Sequence, residues 1–227
     1  MKSSPLPIWF LLTVASGLFT GCDETMRASD KTELSVCPNY GFDNTQFCTA
    51  LHRDMGRGPA AWGQYAKIWD KMDLSVTFLG GSPALQKRVM HEAKEWEKHC
   101  GIRFHFGSKP DSDLRVAFQC NGHWSYVGRD NRGIALNKAT MNLQLTDWTE
   151  AAEVRRVVLH EFGHAIGLEH EHQHPEGEIK WNEPKVIAYY TQTQGWEEKE
   201  TRFQVLRRSN SSNYLSTGVD SKSIMMY

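Results

Sequence analysis

His160-Glu161-Phe162-Gly163-His164-Ala165-Ile166-Gly167-Leu168-Glu169-His170 gathers three histidines and a glutamate within eleven residues. The chain holds only 10 His in 227 residues. A solvated helix face needs Lys or Glu rather than imidazole, and a core needs Leu. The cluster therefore calls for a chemical reason. His160 and His164 stand four apart, which on a helix separates them by roughly 40° and puts both imidazoles on one side. Two imidazoles so placed grip one metal ion. Gly167 lets the chain leave the helix, because glycine accepts backbone angles that other residues avoid. The turn then brings His170 back to complete a three-nitrogen set. Zinc held by three protein ligands keeps a fourth position for water or substrate, the pattern of a catalytic site. Glu161 lies beside that position and suits a general base. One catalytic Zn2+ is the expected cofactor.

Upstream, Asp147 and Glu150 have the spacing of a capping box, so the helix is expected to start near Asp147, with Ala151, Val154, Val158, Phe162 and Ala165 on its buried face. Leu74, Val76 and Phe78 alternate with polar residues and read as a strand. Ser82-Pro83 supplies an N-cap and a first-turn proline. Leu85, Val89, Ala93, Trp96 and Cys100 follow at helical spacing, and Gly101 is placed to end that helix. Ile102, Phe104 and Phe106 alternate again, as do Leu114, Val116 and Phe118. Strand, helix and strand in this order imply parallel pairing. Asn121 to Gly133 reads as a loop. Ile134–Leu136 and Met141–Leu145 read as strands, the second a sheet edge. His91, His99, His105, His172 and His174 read as surface residues.

The N-terminus reads as an export signal over residues 1–21: Lys2, then an apolar run from Ile8 to Thr20, too short for a comfortable membrane span. Leu18-Phe19-Thr20-Gly21-Cys22 resembles a bacterial lipobox, which makes Cys22 a lipidation site and the chain a membrane-anchored lipoprotein, periplasmic or at the cell surface. An ordinary secretory signal cut nearby is the alternative. Of five Cys, setting Cys22 aside leaves Cys37, Cys48, Cys100 and Cys120. Four cysteines allow three connectivities; Cys37–Cys48 and Cys100–Cys120 are favoured, as a local loop and a helix-end to strand-end tie. Residues 22–72 read as an N-terminal extension or a propeptide, and 73–227 as the catalytic domain. Lys+Arg 26 against Asp+Glu 27 leaves no basic stripe, which argues against a nucleic-acid partner. A monomer is expected.

HExxHxxGxxH, with Ser223-Ile224-Met225-Met226-Tyr227 at the end of the sequence, resembles the metzincin zinc peptidases and their astacin-like branch. Glu171 and His172 after the third His also look astacin-like. The resemblance implies an α+β zincin-like domain with a mixed twisted sheet, a backing helix, an active-site helix and a Met-turn. It makes Met225 the methionine packed beneath the imidazoles. It makes Tyr227 a catalytic residue that stabilises the oxyanion, and the strand at Met141, Asn142 and Leu143 the edge that pairs with an extended peptide. Met226 departs from the branch, which carries His there. The activity implied is zinc-dependent endoproteolysis of protein or peptide substrates. The alternative is a non-catalytic zinc-containing module for surface binding or adhesion.

Overall fold

Alternation from Asp73 onward becomes strand β2 (Asp73–Phe78), whose Leu74 and Val76 are fully buried. The structure, a computed structural model, describes residues 65–177, 179–209, 214, 219–220 and 222–226, and the backbone of 48–51. Ser82 caps helix α1 (Pro83–Ala93) by accepting from the Leu85 amide at 3.0 Å, and Leu85, Val89 and Ala93 are its buried stripe. The helix then tightens into a 3-10 turn, Lys94–Lys98, closed at His99 rather than at Gly101. Trp96 is the reason for the tightening to be useful: its indole N–H donates to Leu159 O at 2.9 Å and ties this turn to the histidine-bearing helix.

Strand β3 (Arg103–Gly107) pairs parallel with β2, in the register Leu74 to Phe104 and Val76 to Phe106, as the strand–helix–strand order requires. Strand β4 (Leu114–Ala117) pairs parallel on the other side of β2. Strand β5 (His123–Tyr126) forms inside the stretch expected to be loop, and β6 (Met141–Asn142) pairs parallel with β4 and antiparallel with β5. Strand β1 (Cys48–Leu51) adds in parallel to β5. The order is β1-β5-β6-β4-β2-β3.

That order corrects the edge-strand expectation. Met141, Asn142 and Leu143 are fully buried in the sheet interior, flanked by β4 and β5. Asn142, the polar residue that suggested a wet face, spends its amide inside. It donates to Gln119 O at 2.9 Å and Gly122 O at 2.6 Å and accepts from Gln119 N at 2.8 Å, which fixes the turn from β4 to β5.

Ile134–Leu136 is a turn, not a strand, because its carbonyls are taken by a side chain. Buried Arg115 donates to Ile134 O at 3.0 Å, Ala135 O at 3.3 Å, Lys138 O at 2.8 Å and Ser112 O at 2.8 Å. Buried acceptors left without a donor are costly, so Arg115→Met is expected to lower unfolding stability by about 3 kcal/mol in urea titrations.

Helix α2 (Ala151–Ile166) starts later than the capping-box pattern suggested, with no side-chain cap at Glu150. Asp147 is engaged elsewhere: its carboxylate accepts from Ser82 Oγ, while Thr149 Oγ1 accepts from Thr146 N at 2.9 Å and keeps 146–149 as a turn. Arg88 of α1 donates to Asp147 O at 3.0 Å and holds that turn down. Ala151 is therefore exposed, whereas Val154, Val157, Val158, Phe162 and Ala165 bury against the sheet. Phe162 meets Phe104 of β3 edge-on, with ring centroids 5.1 Å apart.

The cysteines also depart from expectation. Cys100 keeps a free thiol, which donates to Trp96 O at 3.2 Å. Cys120 is disulfide-bonded, so the Cys100–Cys120 pairing is overturned. Its rationale treated the end of α1 as Cys100's position, but the helix closes earlier and the thiol is turned back onto its own 3-10 turn. Cys22, Cys37 and the Cys48 side chain lie outside the described residues. Further on, helix α3 (Glu183–Gln194), capped by Asn182 and closed at Gly195 with φ +68°, leads through α4 (Glu198–Thr201) into a wide π-turn, Arg202–Leu206.

Candidate active site

Helix α2 ends in a left-handed glycine, and that ending builds the site. Gly167 has φ +117°; its N–H donates to His164 O at 2.9 Å, and Leu168 N reaches back to Gly163 O at 2.9 Å. The two bonds satisfy carbonyls of the last turn and reverse the chain. The reversal brings His170 to His160 and His164, with one ring nitrogen from each lying within 4.8 Å of the others. All three are buried, at 5%, 0% and 1% exposure.

Two backbone carbonyls set the orientation of the imidazoles. His160 Nδ1 bonds Ile224 O at 2.7 Å, and His164 Nδ1 bonds Leu168 O at 2.8 Å. A carbonyl oxygen only accepts, so each Nδ1 carries the hydrogen and each Nε2 presents a lone pair. His164 Nε2 lies 3.1 Å from His170 Nε2. Nitrogens bound tetrahedrally to zinc at about 2.0–2.1 Å stand about 3.3 Å apart, so this spacing suits a shared cation. Burial, opposed by the Ile224 carbonyl, pulls His160 down to about 4 and keeps it neutral, the form that ligates. The donor set thus fits zinc. Glu161, one residue after the first imidazole, is fully buried.

The C-terminal turn closes beneath these groups. Glu171 N donates to Met225 O at 2.9 Å, and Glu171 Oε1 accepts from Asp220 N at 3.0 Å. Met225 is 2% exposed and lies against Gly163: a Cβ on Gly163 would sit 2.4 Å from Met225 Sδ and 3.2 Å from Trp96 Cζ2. In an exposed helix Gly→Ala stabilises by about 1 kcal/mol. Here Gly163→Ala is expected to do the reverse, lowering stability by about 1–3 kcal/mol through overpacking, and a thermal melt reads the sign. Tyr227 lies outside the described residues, as does Cys22.

His172 and His174 are not surface residues: they are 5% and 2% exposed. The π-turn 202–206 folds over His172 and Gln173, and the Tyr214 ring meets that of His174 edge-on at 6.1 Å. His172 Nε2 donates to Gln204 O at 3.2 Å, Gln173 Nε2 donates to Gln204 O at 2.6 Å, and His174 Nδ1 accepts from Glu176 N at 3.0 Å. Burial pulls His172 down to about 4, against the Gln204 carbonyl. Its ring stacks on His170, with centroids 5.1 Å apart. His91, His99 and His105 are exposed as expected. Besides Arg115, two buried charged residues beside the site are missed by the sequence analysis. Lys67 and Glu169 are 8% and 4% exposed, and burial pushes the Glu169 carboxyl up to about 7 against the pull of Lys67. The signal available was a Glu beside a histidine ligand in an otherwise apolar turn.

Comparison with known proteins agrees with this geometry. The sequence model of the Astacin peptidase family matches residues 62–227. Tolloid-like protein 2 of Mus musculus is 26% identical over 151 residues, covering 66% of this chain and 14% of that protein. Zinc metalloproteinase nas-38 of Caenorhabditis elegans is 29% identical over 130 residues, covering 56% of this chain and 16% of that protein. The chain thus spans a small part of the length of these curated relatives. Among solved structures, that of myroilysin superposes with TM-score 0.69 and 34% identity, covering 71% of this chain and 81% of that one. High choriolytic enzyme 1, a hatching enzyme zinc-protease of Oryzias latipes, shares the fold at TM-score 0.51 and 17% identity, covering 75% of this chain and 78% of that one.

Proposed function

Because the chain belongs to the astacin family of peptidases, we propose that it is a zinc-dependent endopeptidase that hydrolyses peptide bonds of protein substrates. The observation that carries the reading is the buried convergence of His160, His164 and His170 with Glu161 alongside. Zinc, when bound there, polarises a carbonyl and acidifies water. His160 and His164 hold it through Nε2, oriented by the carbonyls of Ile224 and Leu168. Glu161 takes the proton from the attacking water and returns it to the departing amine. Tyr227 donates to the developing oxyanion. The non-catalytic alternative would expect the base to be lost, and Glu161 is present.

The substrate strand is assigned to β5 rather than to Met141–Leu143. Strand β5 is antiparallel to its inner neighbour and lies on the outer side of the sheet, where only β1 adds to it among the described residues. Pairing of β1 with β5 supports a cleft-blocking role for the segment around β1, since its main chain uses the hydrogen bonds a peptide would use. Lys67 and Trp69 pack onto the domain and stay with it as an N-terminal extension. Residues 1–21 export the chain, and Cys22 anchors it to a membrane. A peptide blocked at both ends and quenched internally tests the endopeptidase reading. Cleavage at an interior bond is expected; action only on free-ended peptides would overturn it. Mass spectrometry of the exported chain before any propeptide cleavage is expected to find acylated Cys22, and an unmodified N-terminus there would refute the anchor.

A further inference from the structure

The segment just before β2 threads between two glycine turns beside the histidine cluster. A Cβ on Gly128 would sit 1.9 Å from Lys67 O and 3.3 Å from Gly167 Cα, and one on Gly167 would sit 3.7 Å from Lys67 O. Lys67 O accepts from Arg129 N at 2.8 Å, Ala66 O accepts from Arg129 Nη2 at 2.8 Å, and Trp69 Nε1 donates to Ala165 O at 2.8 Å. The Lys67 side chain runs inward from this clamp. Its ammonium lies 3.1 Å from Asp130 Oδ2 and 3.6 Å from Glu169 Oε1, with all three side chains at or below 13% exposure. Asp130 belongs to a turn that is itself pinned, since Asn131 Nδ2 donates to Gly128 O at 2.7 Å and Tyr126 O at 3.0 Å.

We propose that Lys67 is a positioning residue for the metal site, its ammonium fixing Glu169 to Asp130 so that the turn after Gly167 presents His170 to the other two imidazoles. The proposal rests on the zinc reading above. The physical reason is the freedom beyond Leu168. Hydrogen bonds fix the turn as far as Leu168, whose N–H and C=O are bonded to Gly163 and His164, and the direction of the chain beyond Leu168 depends on how Glu169 is held. Glu169 sits next to His170, and lifting it out would strand buried charge at Lys67 and Asp130, which is strongly unfavourable. The ion cluster therefore holds the turn in its ligating arrangement before metal arrives, and outer partners of this kind typically change metal affinity about 10–100-fold.

The test is zinc affinity by competition with a chromophoric chelator, on folded full-length protein. Lys67→Met and Glu169→Gln are each expected to weaken zinc binding about 10–100-fold, and their double variant to weaken it by less than the product of the two. Arg115→Met, whose hydrogen bonds reach none of the three histidines, Lys67, Asp130 or Glu169, is the control for mere loss of stability: its melting temperature falls while its zinc affinity stays that of the native chain. Native affinity in folded Lys67→Met would overturn the proposal. Should Lys67→Met fail to fold, Lys67→Met/Glu169→Gln, which keeps the net charge of the cluster, is read in its place, and native affinity there overturns the proposal equally. Absence of zinc binding by the native chain would instead overturn the zinc reading itself.

Discussion

Glu161→Gln is expected to bind one zinc per chain with near-native affinity and to lose about 10²–10⁴-fold in kcat, with little change in KM. The substitution preserves size and leaves the three imidazoles untouched. It removes only the ability to take a proton. Glu161 is fully buried on α2, between the first imidazole and Phe162, so no solvent carboxylate can stand in for it. A fall in kcat without a rise in KM is the mark of an interaction made in the transition state alone. Paired measurements of metal content and peptide hydrolysis separate this from a ligand role: zinc loss in the variant would make Glu161 a metal-holding group, and native turnover would remove it from the chemistry.

Removing the metal is expected to have the second large effect. A chelator should reduce hydrolysis to background, and stoichiometric zinc should restore it. Stability should follow the same course, because binding that favours the folded chain stabilises by about 4 kcal/mol at a thousand times Kd. For a domain of this size each kcal/mol moves the melting temperature about 2–4 °C, so the apo form should melt about 10 °C lower. His164→Ala should behave as a permanently chelated protein, with a melting temperature indifferent to added zinc. His164 is the apt choice because it is fully buried, donates to Leu168 O and faces His170 at 3.1 Å. Chelated protein that still cleaves at the native rate would refute the metal assignment.

The histidine helix was legible because its chemistry is local. Spacing of four along a helix, then a glycine, then a third His, is a short-range instruction, and α2 with its left-handed Gly167 carries it out. Alternation at Leu74 and Val76, and the Ser82-Pro83 helix start, are local in the same sense. What sequence could not show depends on partners distant in the chain. Asp147 looks like a cap until Ser82, 65 residues earlier, takes its carboxylate. Ile134–Leu136 looks like a strand until Arg115 takes its carbonyls. Met141–Leu143 reads as an edge because alternation reports one wet face, whereas Asn142 turns its amide onto the loop from β4 to β5. His172 looks solvated until Gln204 of the turn at 202–206 takes its ring nitrogen. At Asn142 and His172 a polar side chain has a backbone partner, so polarity there does not mean exposure.

Hydrolysis of an unfolded protein such as casein in heavy-oxygen water tests the central claim most directly. With zinc supplied, mass spectrometry should find new internal peptide ends whose carboxyl groups carry the heavy oxygen, produced by the native chain and lost in Glu161→Gln. Intact substrate with the zinc-loaded native chain, or cleavage that persists undiminished in Glu161→Gln, would contradict it.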